Sequence, residues 1–230
     1  MGVEERYKKV AAEVAEVCRA AGRDPREVRV VAVSKTVGPE AVGEALAAGA
    51  HDFGENRPEG LVQKAAVYPQ ATWHFIGNIQ SRRILDIVGS AALIHSLFEE
   101  RHARKIDEAA RAAGKVQDVL LEVNVSGEAS KSGRTPADVR ELLEVCTTLP
   151  NVRVRGLMTM APRGDAATAR KTFEGLARLR DELRAGLDAE YAAAFDGLSM
   201  GMSEDWREAV AAGATIVRIG RAVFDDAFEK

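Results

Sequence analysis

Residues 28–38 read VRVVAV-SKTVG, a nearly continuous β-branched run from Val28 to Val33 followed by Ser34-Lys35-Thr36-Val37-Gly38. A run of that kind predicts a strand buried on both faces, as in a parallel sheet covered by helices. The five residues after it are not the GxGxxG turn that opens an open, doubly wound nucleotide-binding sheet. Working outward, the same strand-then-helix unit recurs. Upstream, Tyr7, Val10, Val14, Val17 and Ala21 fall at helical spacing, so 3–21 reads as an amphipathic helix stopped by Gly22. Downstream, Pro39 opens a helix through Ala48, closed by Gly49. Strands are predicted at 28–34, 51–53, 72–76, 93–95, 119–125, 152–157, 197–200 and 216–219. Helices are predicted between them at 55–66, 82–88, 99–113, 135–148 and 166–187, then after Ser203 and at the chain end. Strict alternation implies parallel pairing through right-handed crossovers. Eight units predict an α/β fold, a single (β/α)8 TIM barrel over residues 1–230 with an extra N-terminal helix.

The composition agrees. The 230 residues are 46% hydrophobic and 29% charged, which is globular and excludes disorder. The formal net charge of −3 gives no global case for nucleic acid or an anionic membrane, although a local basic pocket would not show in it. Two cysteines, Cys18 and Cys146, lie on helical stripes without a CxxC and read as buried thiols. No window approaches ~18 consecutive apolar residues and the start has no apolar signal core. A cytoplasmic protein is expected.

In a barrel of this kind the chemistry sits at the C-terminal ends of the strands. Lys35 ends the first strand and should emerge into a low-dielectric mouth. Burial favours a neutral amine, and a neutral amine is what imine formation with an aldehyde requires; a lysine that merely ends a strand in solvent is the plain alternative. Ser199-Met200-Gly201-Met202-Ser203 after the seventh strand supplies two hydroxyls and a glycine just before a helix, where barrels often hold phosphate; the plain alternative is a capped turn. Arg218 and Gly220 lie on the neighbouring last strand, Arg218 being equally readable as a structural ion-pair residue. No His/Cys/acid cluster has metal-ligand spacing.

These residues belong to six ordered motifs: AVSKT at 32–36, FGENR at 53–57, WHFIGNIQS at 73–81, GLMTM at 156–160, LSMGMSEDW at 198–206 and VRIGRAVF at 217–224. Together they resemble the pyridoxal 5′-phosphate homeostasis proteins, single-domain members of the alanine-racemase-like barrel class. The resemblance implies that Lys35 forms the internal aldimine (a Schiff base) with the cofactor. It implies that Ser199, the backbone around Gly201, and Gly220 hold the phosphate, and that Arg218 faces the pyridine nitrogen. Asn56 would lie near the ring substituents and Met158 would line the pocket. An arginine facing that nitrogen keeps it unprotonated and weakens the ring as an electron sink.

Three positions depart from the family pattern. Pro58-Glu59-Gly60 follows FGENR in place of a Val-Gln-Glu run, Arg82-Arg83 replaces an Asn-Lys, and Arg221 replaces a small hydroxyl residue after Arg-Ile-Gly. Arg221 would then have to serve the phosphate through its backbone N–H or its guanidinium, or the site has one donor fewer.

A carrier is expected over an enzyme. A two-base racemase needs acid/base groups on both faces of the substrate carbon, and in the barrel racemases an additional β-domain supplies a tyrosine that this sequence does not show. Tyr7, Tyr68 and Tyr191 lie away from the predicted strand ends, and His95 is the sole spare base there. The expectation is a monomeric protein in vitamin B6 homeostasis that binds pyridoxal phosphate and delivers it to dependent apoenzymes. Amino-acid racemisation is the alternative.

Overall fold

The computed structural model describes residues 1–228. The first half runs α1 (Val3–Ala20), β1 (Arg29–Val33), α2 (Pro39–Ala47), β2 (Asp52–Glu55), α3 (Pro58–Val67), β3 (Thr72–Phe75), α4 (Ile84–Ser90), β4 (Leu93–Leu97) and α5 (Glu100–Ala112). The second half runs β5 (Gln117–Glu122), α6 (Val139–Thr147), β6 (Val152–Met158), α7 (Ala166–Arg184), α8 (Ala189–Ala194), β7 (Gly197–Ser199), α9 (Trp206–Ala211), β8 (Ile216–Ile219) and α10 (Arg221–Phe224). All eight strands pair in parallel with their sequence neighbours, and β8 pairs with β1 to close the barrel. The expected architecture is therefore found.

Side chains alternate across the barrel wall. Val31, Val33, Leu93, Leu120, Met158 and Ile216 pack together inside the barrel, with Ile76 against them. The intervening positions, among them Ala32, Phe53, Phe75, Ile94 and Leu121, join the larger core between strands and helices. A two-residue period of this kind fixes the register, since a one-residue slip would turn every side chain to the other face. The helix α1 buries Val3, Tyr7, Val10, Val14 and Cys18. It packs against α2, α9 and α10, and the Arg6 Nε donates to the Val223 carbonyl at 2.8 Å. Cys18 and Cys146 are both buried and free.

Four local expectations shift. The stretch expected as one helix over 166–187 ends at Arg184, and a further helix, α8, follows; Asp188 caps it by accepting from the Tyr191 N–H at 2.8 Å. The helix expected from Thr135 starts at Val139, because the Thr135 hydroxyl pairs with Asp138 in a turn first. The helix expected from Glu55 starts at Pro58, because Glu55 still belongs to β2. The fifth strand starts two residues early, at Gln117, and stops at Glu122. Asn124 then anchors the following loop, accepting from the Ser126 hydroxyl and the Gly127 N–H at 3.0 Å each.

Candidate functional site

The inward register of β1 passes from Val31 and Val33 to Lys35, which emerges at the C-terminal mouth. Lys35 is exposed there. The enclosed, low-dielectric setting expected for it is not provided by the protein, because β1 ends at Val33 and the chain turns out at Ser34-Lys35-Thr36. The residue before it is firmly held. The Ser34 hydroxyl donates to Glu55 Oε1 at 2.7 Å, and Lys64 donates to the Ser34 carbonyl at 2.7 Å and to the same Glu55 oxygen at 2.5 Å. This buried ion pair sits on the outer face of the wall, directly behind Lys35.

Asn56 is half-buried at the end of β2. Gly77, after β3, presses against its backbone: a Cβ at Gly77 would lie 2.0 Å from the Asn56 carbonyl oxygen, so only glycine allows this approach. Met158 is buried in the interior cluster. Gly201 has φ +90, and a Cβ there would lie 2.6 Å from that of Ala209, so both backbone and space require glycine in the turn after β7. Gly220 lies against Val33 at the β8–β1 seam. The Ser203 hydroxyl, in a buried residue of the same turn, accepts from the Ala222 N–H at 3.3 Å. That bond does not use the hydroxyl's own proton; the sequence-based choice in this turn was Ser199.

Ser199 is placed differently from that expectation. It is fully buried, its Oγ lying 2.8 Å from His95 Nδ1 and accepting from the Arg218 guanidinium at 2.6 Å. The side chain belongs to the barrel interior, because Ser199 continues an inward-facing register below the mouth. Arg218 is buried as well, with its second terminal nitrogen donating to the Thr159 carbonyl at 3.0 Å. Burial draws its pKa down to about 10, opposed by Asp205 and Glu122. Behind Ser199, His95 Nε2 lies 2.9 Å from His74 Nδ1, and His74 Nε2 lies 2.9 Å from Asp52 Oδ1. Burial, then the nearby His74, Arg218 and Arg29, push the pKa of His95 well below the ordinary histidine value. It is a neutral interior ring and not a base at the mouth.

Glu122, at the inward end of β5, is the ionisable group that strand-end reading left out. Its carboxyl is buried, which pushes its pKa up to about 7 against the pull of Arg218. The signal was available: Leu120 and Glu122 share a face, so a charged residue two positions beyond an interior leucine points into the barrel. The tyrosines lie elsewhere. Tyr68 donates to the Pro39 carbonyl, the Tyr191 hydroxyl accepts from the Val154 N–H, and Tyr7 packs on α1. The Arg221 guanidinium bonds Glu204 of the turn after β7 at 2.7 Å and lies over the Phe228 ring. Arg83 is tied to Asp86 and Glu59. Among the described residues no cluster of His, Cys, Asp or Glu could hold a metal ion, and no helix is long and apolar enough to cross a membrane.

The model of the alanine racemase N-terminal domain matches residues 7–227. The pyridoxal phosphate homeostasis protein of Aquifex aeolicus is 40% identical over 225 residues, covering 96% of this chain and 97% of that protein. Its counterpart from Pseudomonas aeruginosa is 43% identical, covering 96% and 94%. The chain belongs to the pyridoxal phosphate homeostasis protein family. Among solved structures, this family member is similar to PipY from Synechococcus elongatus with PLP bound, at TM-score 0.79 and 34% identity over 92% of this chain and 99% of that one. An alanine racemase from Clostridium difficile shares the fold at TM-score 0.70 and 12% identity, covering 93% of this chain and 55% of that one.

Proposed function

We propose that this protein binds pyridoxal 5′-phosphate at the C-terminal mouth of its barrel and acts as its carrier in cofactor homeostasis. The observation that carries this reading is one mouth bearing an exposed primary amine just after β1, a buried guanidinium on β8 and glycine-built backbone turns after β7 and β8. That donor set fits the group: an amine for its aldehyde, a cation for its ring end, and close backbone approach for its phosphate. Bound there, the cofactor supplies an aldehyde that condenses with a primary amine. Lys35 offers that amine at the surface, where ligand enters and leaves. The backbone around Gly201 and Gly220, with the Ser203 hydroxyl, holds the phosphate. Arg218 faces the ring nitrogen as a donor, since a guanidinium carries N–H groups and no lone pair with which to accept. Asn56 and Met158 border the ring. The homeostasis naming of the relatives and the PLP carried by PipY support the assignment.

Carriage without efficient turnover is supported by where the tyrosines and His95 lie. The tyrosines are engaged outside the barrel, and His95 is an interior group. A monomer that hands the cofactor to dependent apoenzymes completes the reading. Purified protein should be yellow when loaded, and borohydride should fix the label on Lys35. Retained colour and label in Lys35→Ala would reject the site. Transfer to an apoenzyme no faster than free release would reject the delivery role.

A second reading, amino-acid racemisation, is favoured by one observation: Glu122 stands at the same mouth with its pKa near 7, suited to proton transfer. Sustained racemisation of alanine that disappears in Glu122→Gln would establish it in place of the carrier.

A further inference from the structure

Asp52, His74, His95, Ser199 and Arg218 form one hydrogen-bonded line through the barrel interior, with contacts of 2.9, 2.9, 2.8 and 2.6 Å in that order. The direction of its protons follows from what each group can do. A guanidinium only donates, so Ser199 Oγ accepts from Arg218. A carboxylate only accepts, so His74 Nε2 carries its proton toward Asp52. With one proton on each ring, His74 Nδ1 is then an acceptor and His95 Nε2 donates to it. That leaves His95 Nδ1 as an acceptor, and the Ser199 proton turns inward to meet it. All the donors point the same way, from Arg218 to Asp52, and no hydroxyl proton of Ser199 remains for the mouth.

We propose that Ser199 is a positioning residue for Arg218, its hydroxyl oriented by the His95–His74–Asp52 relay, and does not serve as a phosphate donor. Arg218 is held at two points, by Ser199 Oγ and by the Thr159 carbonyl. Those two acceptors set the plane in which its guanidinium faces a ring. Removing the hydroxyl frees one terminal nitrogen and leaves the cation to reorient. The inference rests on the binding reading above for its ligand, and the test separates the two.

The probes are pyridoxal 5′-phosphate and pyridoxal, which differ only in the phosphate, each titrated by absorbance. Ser199→Ala should weaken both by the same factor, roughly tenfold for one hydrogen bond to a charged group. The ratio of the two affinities should stay at the wild-type value, and the absorbance maximum of the bound ligand should shift because the partner of the ring nitrogen has moved. Ser199→Thr, which keeps the hydroxyl, should restore both. Weaker binding of the phosphorylated ligand alone would overturn the proposal, as would an unaltered maximum with unaltered affinities. Should Ser199→Ala fail to fold, Asp52→Asn at the far end of the line carries the same comparison. Its amide can donate to His74 and removes the fixed polarity, so a shifted maximum with an unchanged affinity ratio is expected, and an unshifted one overturns the relay. Failure of the unaltered protein to take up either ligand would reject the binding reading itself and this proposal with it.

Discussion

Two lysine–glutamate sets lie on the outer and the inner side of the barrel wall and behave in opposite ways. Lys64 and Glu55 face the helical layer, are 7% and 3% exposed in their side chains, and bond each other at 2.5 Å. Lys35 and Glu122 face the mouth, the one exposed, the other buried with its pKa pushed up to about 7. The outer set satisfies its charges internally and, through both the hydroxyl and the carbonyl of Ser34, pins the residue just before Lys35. The inner set leaves its groups to whatever enters. The same two residue types thus build a foundation on one side and, in the proposed reading, a binding surface on the other, and the difference lies in whether each charge finds its partner within the chain.

The strongest way to break this comparison is Lys64→Ala. It leaves Glu55 buried without its cation, which should destabilise the fold by about 3–5 kcal/mol. Urea unfolding measures it, and a loss below about 1 kcal/mol would mean that the outer pair is no foundation. The second is Glu122→Gln. A carboxyl at about 7 in the folded chain and at its ordinary 4.5 unfolded holds more protons when folded between those values. Its contribution is therefore fully present below pH 4.5 and lost as pH rises through 7. Glu122→Gln should remove that slope and gain stability above neutrality on the order of 3 kcal/mol. An unchanged profile of unfolding free energy against pH would contradict a buried, unpaired carboxyl. The smallest effect on stability belongs to Lys35→Ala. An exposed side chain should change it by less than about 0.5 kcal/mol, while borohydride labelling disappears. A large loss of stability there would erase the distinction between the two faces.

The barrel was legible because its strands are short apolar runs between helices that announce their ends, as Gly22, Gly49 and Gly114 do. Lys35 was legible because a lysine after VRVVAV stands out by position. Its exposure was not, because where β1 ends and the chain turns outward depends on pairing with β2. The relay was hidden for a related reason. His74 reads as a residue inside a strand and His95 as one at a strand end, and neither shows that the two rings meet. The contact between His95 and Ser199 joins residues 104 apart and exists only when the barrel closes. Lys64 reads as an ordinary helical lysine until α3 is docked on β2. The helix α8 was missed because a capping aspartate two residues after Gly186 restarts a helix that the alanine-rich composition alone does not divide.

The pairing of β8 with β1 brings residue 216 beside residue 29, from opposite ends of the chain. Lys35 follows the first of these strands and Arg218 lies on the last. A chain emerging from the ribosome therefore carries Lys35 long before Arg218. Contacts so distant in sequence form late, since the entropy of closing the loop must be met before they gain anything. The seam is then closed late in folding, and in the proposed reading a ligand held between Lys35 and Arg218 would clasp the first strand to the last.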